Sequence, residues 1–192
     1  MKKIHNFVPF LLAIALLILP SCASTQKTGG AGLVSVVAQN VVRIAGVQAM
    51  KGADLSILKD RLTYVKTTGF VDDRNEKFID NLVRSRAEVA GAKLVREDKA
   101  QVVLEVVVNS AGNDQGRSKI PLVMRSERTE GSVDLDLIVR DVNNGSRLST
   151  QQVKGEAKYQ QSTVIGFQGS GEYYVKNMNG HFDLVKEPSS FR

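Results

Sequence analysis

Few side chains in this chain could carry out chemistry. A serine nucleophile needs a base, and downstream of residue 22 there is one histidine, His181. Ser170 lies in Gly169-Ser170-Gly171, without the Gly-x-Ser-x-Gly spacing of a nucleophile elbow, so no Ser-His-acid triad is expected. The same shortage of histidine and cysteine leaves no ligand spacing for a metal. Among the carboxylates, Asp72-Asp73 precedes an apolar-periodic run and suits a helix cap. Asp134 and Asp136 share one face of a strand, where they form either an acid-base pair or a solvated face; the solvated face is expected. Gly166-Phe167-Gln168-Gly169-Ser170-Gly171 is glycine-rich like a phosphate loop but lacks the Gly-Lys-Ser/Thr ending, so it is expected to be a turn between short strands. Tyr173-Tyr174 and Phe167 form an aromatic group better suited to packing than to ligand binding. No enzyme is expected from this set.

The remaining reactive group is Cys22, the single cysteine. Lys2 and Lys3 open the chain, and Phe7 to Leu19 is apolar apart from Pro9. Small Ser21 then stands just before the cysteine. This is the layout of a secretory leader, and the apolar run is shorter than the ~20 residues of a membrane-spanning helix. Leu19-Pro20-Ser21-Cys22 resembles a lipobox. That resemblance implies cleavage between Ser21 and Cys22, a diacylglyceryl group on the thiol and an N-acyl chain on the new terminus. It implies no other cofactor. Ala23-Ser24 lacks the aspartate that retains lipoproteins at the inner membrane, so the expected location is the periplasmic face of the outer membrane. Two or three acyl chains hold a protein there stably.

Loss of residues 1–21 from the 192 leaves a length that suits one domain, and loss of Lys2 and Lys3 lowers the formal charge from +6 to +4. That charge is not the footprint of a nucleic-acid binder. With Cys22 acylated, no disulfide is possible. The expected organisation is a leader over 1–21, a flexible lipidated tether over 22–32, a single α/β periplasmic domain over 33–177 and a loose tail over 178–192.

The elements follow from periodicity. Leu33 to Met50 is expected to be a helix with a narrow polar stripe, Ser35, Gln39 and Arg43. It is otherwise apolar and is expected to be a core helix, the alternatives being a helix pressed on a partner or membrane or, given its valines, a strand. Lys59 to Thr68 is expected to be a strand and Arg74 to Ala90 a helix ended by Gly91 in a left-handed cap. Gln101 to Asn109 is apolar on both faces, as a central strand is. Ala111 to Arg128 is polar with Gly112 and Gly116, and is expected to be a long functional loop. Gly131 to Arg140 alternates, with Val133, Leu135, Leu137 and Val139 inward. Asn143-Asn144-Gly145 should then make a tight hairpin turn into a strand over Arg147 to Gln160. Thr163 to Phe167 and Glu172 to Val175 add short strands. The sum is an α+β fold, a mixed sheet of about four to six strands with two helices packed on one face.

The segment Glu130 to Gly145, a strand closing on Arg140-Asp141 and an Asn-Gly turn, resembles a hairpin of the CsgG-like lipoproteins. Ala100 to Leu104 and the strand-helix-strand before it are similar to their core. That broad group includes curli secretion lipoproteins and the LpoB-like activators of peptidoglycan synthases. The chain also resembles an uncharacterised family of bacterial lipoproteins, through Gly91 to Val95, the Ile120-Pro121 loop and Val164-Ile165-Gly166. The resemblance spans about residues 54–175 and implies a fold more than a function. Pore-forming members carry two membrane-inserting hairpins, and no segment here is expected to be long enough to supply them.

The expected function is therefore non-enzymatic. A lipid-anchored envelope protein would act as an assembly, structural or regulatory module by binding another envelope protein or itself. The expected contact surfaces are the loop 111–128, the hairpin edge and the helix 33–50. Arg117, Lys119, Ile120, Arg125 and Arg128 are the candidate partner-binding residues. Those basic side chains also suit the alternative, a binding module for cell-wall or lipopolysaccharide components.

Overall fold

The computed structural model describes residues 36–69, 73–120, 124–164 and 167–185. The leader, Cys22, the tether and the last seven residues lie outside them. So do the side chains of Asp73, Lys119 and Ile120.

Two helices form where the sequence has helical period. The first, α1, is Val36–Lys51. Its valines lower helix propensity, and burial of Val41, Val42, Ile44, Ala45 and Ala49 outweighs that deficit. The helix is thus core, as expected; apart from Val36 its described apolar side chains are buried or half-buried, so it does not also supply the expected contact surface, and residues 33–35 lie outside the described residues. Its exposed stripe includes Arg43, which sits over the Phe78 ring at 5.6 Å. The second helix, α2, is Asp73–Val89, with Ile79 and Val83 fully buried.

Gly91 ends α2 as expected, at φ +93°. The amide of Ala92 donates to the Ala87 carbonyl at 3.0 Å and that of Gly91 to Glu88 at 2.9 Å, the paired bonds of a Schellman cap. Gly91→Ala forces a side chain into left-handed backbone and against Lys59 Cγ at 3.2 Å. A loss of about 1–2 kcal/mol is expected in thermal or urea unfolding.

The strands are β1 Leu62–Gly69, β2 Lys93–Leu94, β3 Val102–Ile120, β4 Met124–Asp141, β5 Arg147–Val164, β6 Phe167–Gln168, β7 Glu172–Lys176 and β8 Phe182–Leu184. They form one mixed sheet in the order β2-β1-β3-β4-β5-β7-β8, with β6 on the end of β5. β1 is parallel to β2 and β3, and every other pairing is antiparallel. The count exceeds the expected four to six because β2, β6 and β8 are only two or three residues long. β8 lies in what was expected to be a loose tail. Both helices pack on one face, around Val65, Leu104, Val106, Leu135, Leu137 and Val139. The other face carries no helix among the described residues.

Two local expectations are corrected. Residues 111–120 and 124–128 are strand and not loop: β3 runs on to Ile120 and β4 begins at Met124, paired in continuous register, while residues 121–123 lie outside the described residues. The Asn143-Asn144-Gly145 turn lies where expected but is longer than a two-residue hairpin. Only Gly145 has positive φ, +68°, and the Asp141 amide closes on Ser146 O at 2.9 Å. Asn143 and Ser146 amides donate to the side chains of Asp141 and Asn144. A type I′ turn needs positive φ at both central residues, and this loop has it at one.

Candidate functional site

Outward of Gly131, over which Val41 of α1 lies, β3, β4 and β5 continue as an arm. β1 ends at Gly69, opposite Val108. A bulge between Val108 and Ser110 then shifts the β3–β4 register. From Asn109 to Ile120, β3 therefore has β4 on one side and no strand on the other among the described residues. A strand edge of that length offers a row of backbone donors and acceptors. Among the described residues β5 is likewise paired on its far side only at Ala157–Gln160, by β7, and at Thr163–Val164, by β6.

Both faces of the arm are polar, so no apolar alternation marks it. Ion pairs take its place, one of them across strands, Arg117 to Glu127, and two along β4. Arg117 and Arg125 both meet the Glu127 carboxylate, Arg117 at 3.6 Å. Arg128 pairs with Glu130. The register places Arg117, Arg125 and Glu127 on the helix-side face, and Arg128 and Glu130 on the bare face. The expected basic patch is thus divided between two faces and partly neutralised, because neighbours in a strand point opposite ways. Lys119 and Ile120 share the strand, opposite Arg125 and Met124. The arm is long enough for a hairpin that enters a membrane, contrary to expectation, but lacks the alternating lipid-facing side of one.

A cleft of about 410 Å³ opens on the bare face at the base of the arm. The β3 bulge supplies Asn109, Ser110, Gly112 and Asp114; β4 supplies Glu130 and Ser132; β5 supplies Glu156; and Phe182 of β8 stands at its side. Sequence reasoning missed it, because its residues come from four strands and share no spacing. Glu156 is paired with Lys176 at 2.9 Å. Lys158 sits over the rings of Phe182 at 4.4 Å and Tyr174 at 4.9 Å. The aromatic grouping also differs from expectation: Tyr173 packs against Tyr159 with ring centroids 4.9 Å apart and planes tilted by 52°, while Phe167 is exposed.

Asp134 is next to this cleft and was one half of the candidate acid pair. It accepts from Lys154 Nζ at 2.9 Å, Gln152 Nε2 at 3.0 Å and Asn109 Nδ2 at 3.4 Å. Desolvation pushes its pKa up, but the donors and the Lys154 charge outweigh that and hold the carboxyl below its ordinary 3.8. A carboxylate held in this way accepts hydrogen bonds; it is not poised to donate a proton. Because the folded carboxyl titrates below the unfolded one, its stabilisation is complete above the unfolded value and is lost as pH falls through the folded one. Asp134→Asn should cost about 1 kcal/mol at neutral pH. The gap from wild type in urea midpoints should narrow as pH drops below about 4.

His181 lies in an exposed turn, its amide donating to Asn177 Oδ1 at 3.0 Å. Among the described residues no three His, Cys, Asp or Glu side chains are placed to hold a metal. Of the expected turn Gly166 to Gly171, residues 169–171 lie between β6 and β7, but Phe167 and Gln168 are strand β6, and Gly166 lies outside the described residues. Among the described residues no helix is long and apolar enough to cross a membrane.

No protein-family model matches the chain, and no curated protein matches it. A solved structure, the lipoprotein GNA1162 from Neisseria meningitidis, is similar over 50% of this chain and 82% of that one. The TM-score is 0.34 and the identity 11%, and so distant a likeness carries no functional argument.

Proposed function

We propose that the chain is a lipid-anchored envelope protein that acts without catalysis, by presenting its β-arm to a partner. Leu19-Pro20-Ser21-Cys22 supports the anchor, and Ala23-Ser24 supports the outer-membrane face. The order of strands and helices supports the CsgG-like reading of the core. The observation that carries the interaction is the β3 edge from Asn109 to Ile120, unpaired beyond the end of β1. An extended segment of an envelope protein, or of a second copy, can add there as a strand through backbone hydrogen bonds. With α1 buried, self-association would use this edge.

The test is site-specific photocrosslinking in living cells. A photoreactive side chain at Asn113 or Gln115, on the edge, is expected to capture one envelope protein or a second copy. The same group at Asn144, in the far turn, is expected to capture neither. Equal capture from both positions, or none from the edge, would remove the arm from the account.

The cleft supports the second reading, binding of cell-wall components. Its carboxylates, hydroxyls and Phe182 suit a ligand rich in hydroxyl or amine groups better than the phosphates of lipopolysaccharide. Soluble amino-sugar fragments should then shift amide resonances of Ser110, Gly112 and Ser132. Unchanged resonances at saturating fragment would exclude it.

A further inference from the structure

The exposed apolar side chains of the arm are concentrated at its end. Met124 is 38% exposed, Val164 47% and Phe167 82%. They are not scattered: Met124 pairs with Val164 across β4 and β5, and Val164 pairs with Phe167 across β5 and β6. Three strands thus bring three apolar side chains to one spot on an otherwise polar arm. Just behind it, Arg125 and Arg117 lie on one face and Arg128 on the other. Arg117 and Arg125 share one carboxylate, Glu127, so positive charge remains in excess on that face.

An apolar end with arginines behind it on both faces, Arg128 among them paired with Glu130, suits one environment, a bilayer surface with anionic headgroups. The apolar part enters the acyl boundary and the guanidinium groups meet phosphates. A protein groove would not need arginine on both faces of the arm.

The direction of α1 points the same way. Val41 lies over Gly131, Ala45 and Ala49 over Gly155, and Asp54 bonds Gln151. Gly131 is nearer the end of the arm than Gly155, and Gly155 nearer than Gln151. The N-terminus of α1 therefore faces the end of the arm, and Val36 is 72% exposed there. Fourteen residues separate Cys22 from that helix, counting Cys22 and Ser35; they reach at most roughly 45 Å. Met124 is seven residues beyond Gly131, about 23 Å along a strand. A lipid on Cys22 and the end of the arm can meet one membrane plane.

We infer that the arm is a second membrane contact: Met124, Val164 and Phe167 insert into an anionic phospholipid surface, collared by Arg117, Arg125 and Arg128. This rests on the lipid-anchored reading, and holds the domain in one orientation on its anchor.

The full chain has no tryptophan, so Phe167→Trp places a single emitter at the end of the arm. Val142→Trp places one in the exposed turn between β4 and β5, at the opposite end of the sheet. Each full-length variant is expressed with its leader, recovered from membranes and reconstituted into phosphatidylcholine vesicles containing phosphatidylglycerol. Flotation reports anchoring. The Phe167→Trp emission is expected to shift to the blue and to be quenched by brominated acyl chains, and the Val142→Trp emission to do neither. A Phe167→Trp chain that floats but stays red and open to aqueous iodide overturns the inference while leaving the anchor intact. A chain that does not float overturns the anchoring reading and this inference with it. Met124→Trp serves as the second reporter should Phe167→Trp fail to fold, and the same two outcomes decide.

Discussion

Gly155→Val is expected to cost at least about 3 kcal/mol, at or beyond the upper end of what overpacking usually costs. The reason is where α1 lies. A Cβ on Gly155 would stand 1.9 Å from the Ala45 carbonyl oxygen and 2.6 Å from the Ala49 amide nitrogen. Both are backbone atoms, so no rotamer change relieves the contact. The helix would have to lift from β5, exposing part of the face that buries Val41, Val42, Ala45 and Ala49. Domains of this size are stable by only ~5–15 kcal/mol, so much of the margin would go. Urea unfolding followed by circular dichroism measures it. Gly112→Val is the control, since a Cβ there meets nothing within 4 Å; it should stay within about 0.5 kcal/mol. Equal midpoints for the two variants would mean that α1 does not sit on β5 at Gly155.

The glycines that seat the helix also show how far the sequence could be read. Gly131 and Gly155 lie in polar stretches and look like turn residues or strand interruptions. Their use appears only once α1 is laid across two strands that are not neighbours of it in the chain. By contrast α1, α2 and the inner halves of β3 and β4 were legible, because each buries one face and leaves a period of 3.6 or 2. Val133, Leu135, Leu137 and Val139 are inward as their alternation requires. The arm was misread because neither face is buried, so no period exists to see. Charge does not mark it either: Arg117 faces Glu127 across the strands, but the same register sets Lys119 against Arg125 and Asp114 against Glu130. The basic candidates were visible as residues. Their division between two faces, and their role as a collar behind Met124, Val164 and Phe167, needed the register.

Leu104→Ala should lower stability by about 2–5 kcal/mol and should do so unevenly across the molecule. Leu104 is fully buried at the junction where the sheet changes from parallel to antiparallel, opposite Val65 on β1 and Val139 on β4. Its removal leaves a cavity between the sheet face and the helices packed on it, lined by Val65, Val139 and their core neighbours. Amides of the core strands open only with global unfolding, so their exchange should quicken by the full loss of stability. The edge amides of β3 between Asp114 and Arg117 are held differently. That stretch has β4 on one side and, among the described residues, no strand on the other and no buried apolar side chain of its own. Its amides should exchange by local opening, at rates nearly equal in wild type and Leu104→Ala. Hydrogen exchange read by mass spectrometry or NMR separates the two classes. A uniform acceleration that included residues 114–117 would show that arm and core unfold as one unit. An edge that opens on its own is ready to receive a strand or a membrane without any cost to the core, and on that independence the proposed role of the arm depends.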